Sequence, residues 1–155
     1  MPIKILTSQL LTSKLEQIGI NPGDGLLIHS AIQYLGQPDG GVKMIFQCLH
    51  NLITFSGTIA VPTFNFNFAN GEEFKVKETP SKGMGVFSEY IRLHPASFRT
   101  LHPLQSIAIN GFHAGDISKR VTLCAFDDGS AFERMLDLNF KCLLLGASIN
   151  ACSII

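Results

Sequence analysis

Asn21-Pro22-Gly23-Asp24-Gly25-Leu26-Leu27-Ile28-His29-Ser30-Ala31 carries a turn, a strand and a polar exit within one short stretch. Its Asn, Pro, Gly and Asp residues form a turn cluster. Leu26-Leu27-Ile28 is a short unbroken apolar run, the pattern of a parallel strand buried on both faces. His29-Ser30-Ala31 then opens a loop that passes Gly36, Pro38 and Asp39 on the way to Gly40-Gly41. Val42, Ile45, Phe46, Leu49 and Ile53 follow at helical spacing. Gly57 leads to a second strand, Thr58 to Val61, closed by Pro62. Strand, loop, helix and strand with short connections make a βαβ unit. The expected class is therefore α/β: a layered α/β/α domain around a central mixed, largely parallel sheet.

The same reading extends outward. Upstream, Thr7 or Ser8 caps a helix with Leu10, Leu11, Leu15 and Ile18 on one side, and Gly19 ends it. Downstream, Thr63 to Glu78 holds four phenylalanines among Asn and charged residues without helical period. Phe64, Phe66 and Phe68 alternate, so an extended strand with one aromatic face competes with a long functional loop, the favoured reading. A helix with Val86, Phe87, Tyr90 and Ile91 inward follows, then a strand Ser106 to Ile109 with a turn at Asn110-Gly111. A short helix from His113, a helix capped by Ser130 with Phe132 and Leu136 inward, and a strand Cys142 to Leu145 complete the order. No repeat divides the chain, and residues 1–155 read as one domain.

Bulk properties bound the function. The chain has 155 residues, 46% of them apolar, enough for a hydrophobic core without staples. Twelve basic residues balance twelve acidic ones, so no global field draws in nucleic acid or anionic lipid. The amino-terminal stretch is broken by polar residues and matches no signal peptide, and no run reaches the length of a membrane span. A soluble cytoplasmic protein is expected. Cys48, Cys124, Cys142 and Cys152 form no C-x-x-C pair, so free thiols are expected, and no metal site follows from Cys and His spacing.

Three segments are candidates for chemistry. His29-Ser30-Ala31 followed by Gly40-Gly41 places polar groups at the carboxyl end of a buried strand, where open α/β sheets bind ligands, and ahead of a helix N-terminus that favours anions. An ordinary βα turn would use the same glycines, and neither a dinucleotide fingerprint nor a P-loop is present. Thr79-Pro80-Ser81-Lys82-Gly83-Met84-Gly85 is a glycine-punctuated helix entrance that could offer backbone donors; a plain capped start is the simpler account. His102, held extended before Pro103, could act as a base near neutral pH or serve structure alone. Cys152 beside Ser153 lacks the elbow of a serine or cysteine hydrolase.

Together these segments resemble the aminoglycoside 3-N-acetyltransferase family. Gly23-Asp24-Gly25-Leu26-Leu27-Ile28-His29-Ser30-Ala31 is similar to its opening pattern. Gly40-Gly41, Gly57-Thr58 with Pro62-Thr63-Phe64, Thr79-Pro80-Ser81 with Met84-Gly85, Leu101-His102-Pro103 with Ser106, Ser130-x-Phe132, and Leu143-Leu144-Leu145-Gly146 follow in the family's order from about Leu15 to the last residue. The resemblance implies direct acetyl transfer from acetyl-CoA to an amine, without a covalent enzyme intermediate. It implies CoA contacts at His29, Ser30, Ala31, Gly40, Gly41, Ser81, Met84, Gly85 and Ser106, with His102 as the candidate catalytic residue within the chain. Antibiotic-modifying members carry a second histidine where Gln105 stands, which favours an amino-sugar acceptor over an aminoglycoside. The family pattern continues with S-x-x-H-x-x-E, whose start matches Ser153-Ile154-Ile155. The main catalytic histidine is therefore expected just past Ile155, and the 155-residue domain is expected to be incomplete. A catalytically inactive CoA-binding or interaction module is the alternative. The partner is a small-molecule amine, and a homo-oligomer is left open.

Overall fold

The computed structural model describes residues 4–152, so the expected motif start at Ser153 lies outside the described residues. In chain order the elements are β1 (Ile5–Leu6), α1 (Ser8–Gln17), β2 (Gly25–Ser30), β3 (Gln37–Pro38), α2 (Gly41–Ile53), β4 (Thr58–Pro62), α3 (Gly85–Leu93), β5 (Phe98–Arg99), β6 (Ile107–Gly111), α4 (Ala114–Ser118), α5 (Ala131–Asp137) and β7 (Lys141–Leu145). Five strands form one sheet in the order β5-β6-β4-β2-β7. β2 pairs in parallel with β4 and with β7, while β6 runs antiparallel to β4 and β5. One reversed strand in an otherwise co-directional sheet is the mixed, largely parallel arrangement expected.

Alternation along the strands builds two cores. Leu26, Ile28, Ile59, Val61, Leu143 and Leu145 face α1, α2 and α3. Leu27, Ala60, Ile107 and Ile109 face α4 and α5. Leu26, Leu27 and Ile28 are essentially inaccessible to solvent, and burying each such side chain stabilises the fold by about 1.5–3 kcal/mol. Helices on both faces make three layers.

Several boundaries differ from the sequence reading, each for a physical reason. β2 does not end at Ile28: parallel pairing with β7 carries it through His29 and Ser30. β6 runs through Asn110 and Gly111 rather than turning there, because β4 offers it partners down to Thr58. Leu11 and Leu15 form the buried stripe of α1, whereas Leu10 and Ile18 are exposed. Met44 and Cys48 join the inner face of α2, and Val42 lies at its margin. Val86 of α3 is exposed, and in α5 Met135 is buried where Leu136 was expected. Segment 63–84 is a loop with one short 3-10 turn at Phe66–Asn70, and only Phe64 of the alternating aromatics is buried. No helix among the described residues is long and apolar enough to cross a membrane.

Candidate functional site

Two clefts meet at the entrance to α3. The first, about 640 Å³, lies at the carboxyl ends of β2 and β7 and is lined by Ser30, Ala31, Gln33, Tyr34, Gly83, Gly85, Gly146, Ala147, Ser148 and Ala151. The second, about 590 Å³, shares Gly83 and Gly85 and adds Val42, Ser81, Val86, Glu89, Tyr90 and Leu93. Carboxyl ends of parallel strands are where α/β sheets receive ligands.

Glycine is required at the seam. Gly85 has φ +85, and a side chain there would face the Ser30 carbonyl at 3.5 Å. Gly146 has φ +74, and an added Cβ would lie 2.6 Å from the Ala31 carbonyl oxygen. The N-cap of α3, Met84, supplies no side-chain hydrogen bond, leaving the first-turn N–H groups without a side-chain cap. The hydroxyl oxygens of Ser30 and Ser81 are out of solvent and have no hydrogen-bond partner. Unpaired donors of this kind are costly unless something occupies them.

Among the described residues Glu89 is the one carboxylate lining either cleft. Its Oε1 accepts from the Ser81 backbone N–H, and both oxygens accept from Arg92 at 2.8–3.0 Å. Burial alone would raise this carboxyl, but the hydrogen bonds from Arg92 and Ser81 outweigh it and hold the group below the ordinary glutamate range. The Ser81 hydroxyl makes no bond of acceptable geometry, so the backbone N–H is the effective Ser81 donor.

The wall between loop and sheet is organised by Arg99. Its Nε donates to Thr63 Oγ1 and Ser106 Oγ, Nη2 to the Thr63 carbonyl, and Nη1 to the carbonyls of Val76 and Thr79. The guanidinium stacks over Phe74 at 5.0 Å. Burial, with the nearby Arg92 charge, pulls it down to about 10, so it remains a cation at neutral pH.

The candidate residues separate into groups. Ser30, Ala31 and Gly85 line the first cleft; Ser81 lines the second, beside Gly85. Gly40 and Gly41 start α2, next to Val42 on the rim of the second cleft. Met84 packs partly against the α4/α5 core. Ser106 lines neither cleft; it is fully buried and spends its hydroxyl on Thr63 and Arg99. At His102, Nδ1 accepts from Gln105 N–H, Nε2 lies 3.3 Å from the Leu123 carbonyl, and the crevice beside it is only about 10 Å³. Gly146, quoted from the sequence only within a family motif, also lines the first cleft, while Glu89 of the second cleft and Arg99 of the adjoining wall carried no local signal.

His29 departs from Ser30. Alternation turns it to the opposite face of the sheet, beside Leu27, where it is 4% exposed and its Nε2 has no partner. Desolvation lowers its pKa and keeps the imidazole neutral. Cys142 and Cys152 stand next to it with their sulfurs 3.3 Å apart. Partial burial of its sulfur, with the Cys152 thiol alongside, pushes Cys142 up to about 12.

Comparison with known proteins agrees with this architecture. The sequence profile of the family described as aminoglycoside 3-N-acetyltransferase matches residues 27–155. Aminoglycoside N(3)-acetyltransferase III of Salmonella sp is 24% identical, aligned over 94% of this chain and 57% of its own length. The SPbeta prophage-derived aminoglycoside N(3')-acetyltransferase-like protein YokD of Bacillus subtilis (strain 168) is 25% identical over 94% of this chain and 61% of its length. Its crystal structure matches with a TM-score of 0.86, covering 94% of this chain and 66% of that one. AAC-IIIb in binary complex with CoASH shares the fold at 20% identity with a TM-score of 0.85, over 96% of this chain and 63% of that one. The chain thus spans about three-fifths of the length of the curated relatives it matches. With a family profile covering most of the sequence and the same fold beneath it, the chain belongs to the aminoglycoside 3-N-acetyltransferase family.

Proposed function

We propose that this chain forms the acyl-CoA-binding part of an acetyl-CoA-dependent N-acetyltransferase whose acceptor is an amine of an aminoglycoside or amino sugar. The observation that carries the reading is the seam at Gly83 and Gly85. There an uncapped helix start lies between two joined clefts, the first at the carboxyl ends of parallel strands, and the buried hydroxyls of Ser30 and Ser81 in their walls have no partner. Backbone N–H groups at a helix start suit phosphate or a developing oxyanion. The CoASH complex of AAC-IIIb supports the same ligand class. In the reaction the neutral amine attacks the thioester carbonyl carbon, the C–S bond breaks, and the thiolate leaves as CoA takes up a proton. A base must first remove the ammonium proton.

Calorimetric titration of the 155-residue chain with CoA and acetyl-CoA tests this reading. Saturable binding that Ser30→Ala weakens about tenfold is expected, the worth of one hydrogen bond to a charged ligand. Absence of binding by a folded chain refutes it. A second reading, a CoA-binding module without turnover, is favoured by one feature: among the described residues no histidine, aspartate or glutamate lines the first cleft, and Glu89 is already engaged. Thiol release above background, measured across amine acceptors, would exclude that second reading.

A further inference from the structure

His29, Cys142 and Cys152 place one imidazole nitrogen and two sulfurs within 4.8 Å of one another, on the face of the sheet opposite Ser30. The strands bring them together: in the β2/β7 register Leu27 pairs with Cys142 and His29 with Leu144, so His29 and Cys142 are diagonal neighbours. Cys152 arrives from the other direction, as the extended C-cap of the 3-10 turn Ile149–Ala151 that follows β7. All three are therefore fixed by backbone, two by a sheet ladder and one by a turn. Chain spacing alone could not reveal the set, since His29 and Cys142 stand 113 positions apart in the sequence.

A second observation points the same way. His29 Nε2 is sealed from solvent, lacks any partner, and belongs to a side chain that is 4% exposed. A buried ring nitrogen without a hydrogen bond is destabilising unless something occupies it. Both cysteines are free thiols, not a disulfide.

We propose that His29, Cys142 and Cys152 form a three-ligand site for a thiophilic d10 metal ion, with Zn2+ as its representative. Two sulfurs and an imidazole select zinc-like ions over Mg2+ or Ca2+, which take oxygen donors. Three protein ligands leave the fourth tetrahedral position to water or a further ligand. Metal–sulfur and metal–nitrogen bonds of about 2.3 and 2.1 Å set donor separations near those of the cluster, so small side-chain rotations suffice. The ion supplies the positive charge that the two neighbouring thiols lack, and both sulfurs give up their protons as it binds.

The test uses the whole chain, reduced and stripped of metal, with no CoA present, so that its outcome is independent of the acetyl-transfer reading. Zn2+ is titrated against a chromophoric chelator, and Co2+ serves as the spectroscopic probe. One Zn2+ per chain, roughly two protons released per ion, and thiolate-to-cobalt charge-transfer bands with tetrahedral d–d bands are expected. Cys142→Ser and Cys152→Ser should each weaken binding by more than the ~10- to 100-fold typical of losing an outer-shell partner. Cys124→Ser, whose exposed thiol lies outside the cluster, should bind as the parent does. Far-ultraviolet circular dichroism confirms that each variant is folded. Undiminished stoichiometric binding in the Cys142→Ser/Cys152→Ser double variant would overturn the proposal. So would a reduced chain that binds no Zn2+ and merely forms a Cys142–Cys152 disulfide in air.

Discussion

Arg99 sets five backbone and hydroxyl acceptors, four from the 63–79 loop and one from Ser106 just before β6, around one guanidinium. Arg99→Ala would leave the buried Thr63 and Ser106 groups unpaired, and should cost on the order of 3 kcal/mol in urea unfolding. Arg99→Lys should recover only part of that, because an ammonium cannot reproduce the planar fork. Glu89 gives a pH signature. Its folded pKa lies below the unfolded value, so its contribution is fully present above about pH 4.3 and is lost as pH falls through the depressed folded pKa. Glu89→Gln should therefore be less stable than the parent near pH 7, and the two unfolding midpoints should converge in acid; parallel midpoints down to pH 3 would contradict this. At this scale the sequence was only partly legible. Ser30, Ala31, Ser81 and Gly85 were marked by their positions at strand ends and helix starts. Arg99 was not, since nothing local distinguishes an arginine that bonds residues 20–36 positions away.

Elements were legible where local rules act alone. Ser130 accepts from Glu133 N–H as an N-cap, as read from the sequence, and lies fully buried. Ser130→Ala should cost about 1 kcal/mol, read as a lower thermal midpoint, with Ser130→Asp retaining most of the cap. Where partners decide, local reading fell short. The two-residue strands β1, β3 and β5 exist only because a neighbour pairs with them, so no periodicity announces them. Asn110-Gly111 looks like a turn, yet pairing to Ile59 and Thr58 keeps it extended. Leu136 follows the helical period of α5 but faces outward, and Met135 takes the core position.

For the whole molecule, the three-layer order followed from one βαβ unit, but the exposed apolar surface did not. Among the described residues β7 pairs on one side only, with β2. Beside it Leu27, Phe126, Phe132, Met135, Leu136 and Phe140 line an open apolar cleft of about 490 Å³. Unpaired edges and apolar patches promote association. The chain should bind an apolar fluorescent dye, and Leu136→Lys with Phe126→Ser should reduce dye binding and concentration-dependent sedimentation without lowering the unfolding midpoint; unchanged sedimentation would place association elsewhere. The peptide unit joining His29 to Ser30 carries a different consequence. Neighbouring residues there look out on opposite sides of one ribbon. An insertion in the 21–24 turn could bulge harmlessly into water, whereas one added or lost residue within Leu26–Ser30 would exchange the two outlooks, sending the serine toward the sulfurs and the imidazole toward the glycine seam. Length variation along this chain should accordingly gather in the turn and spare the strand.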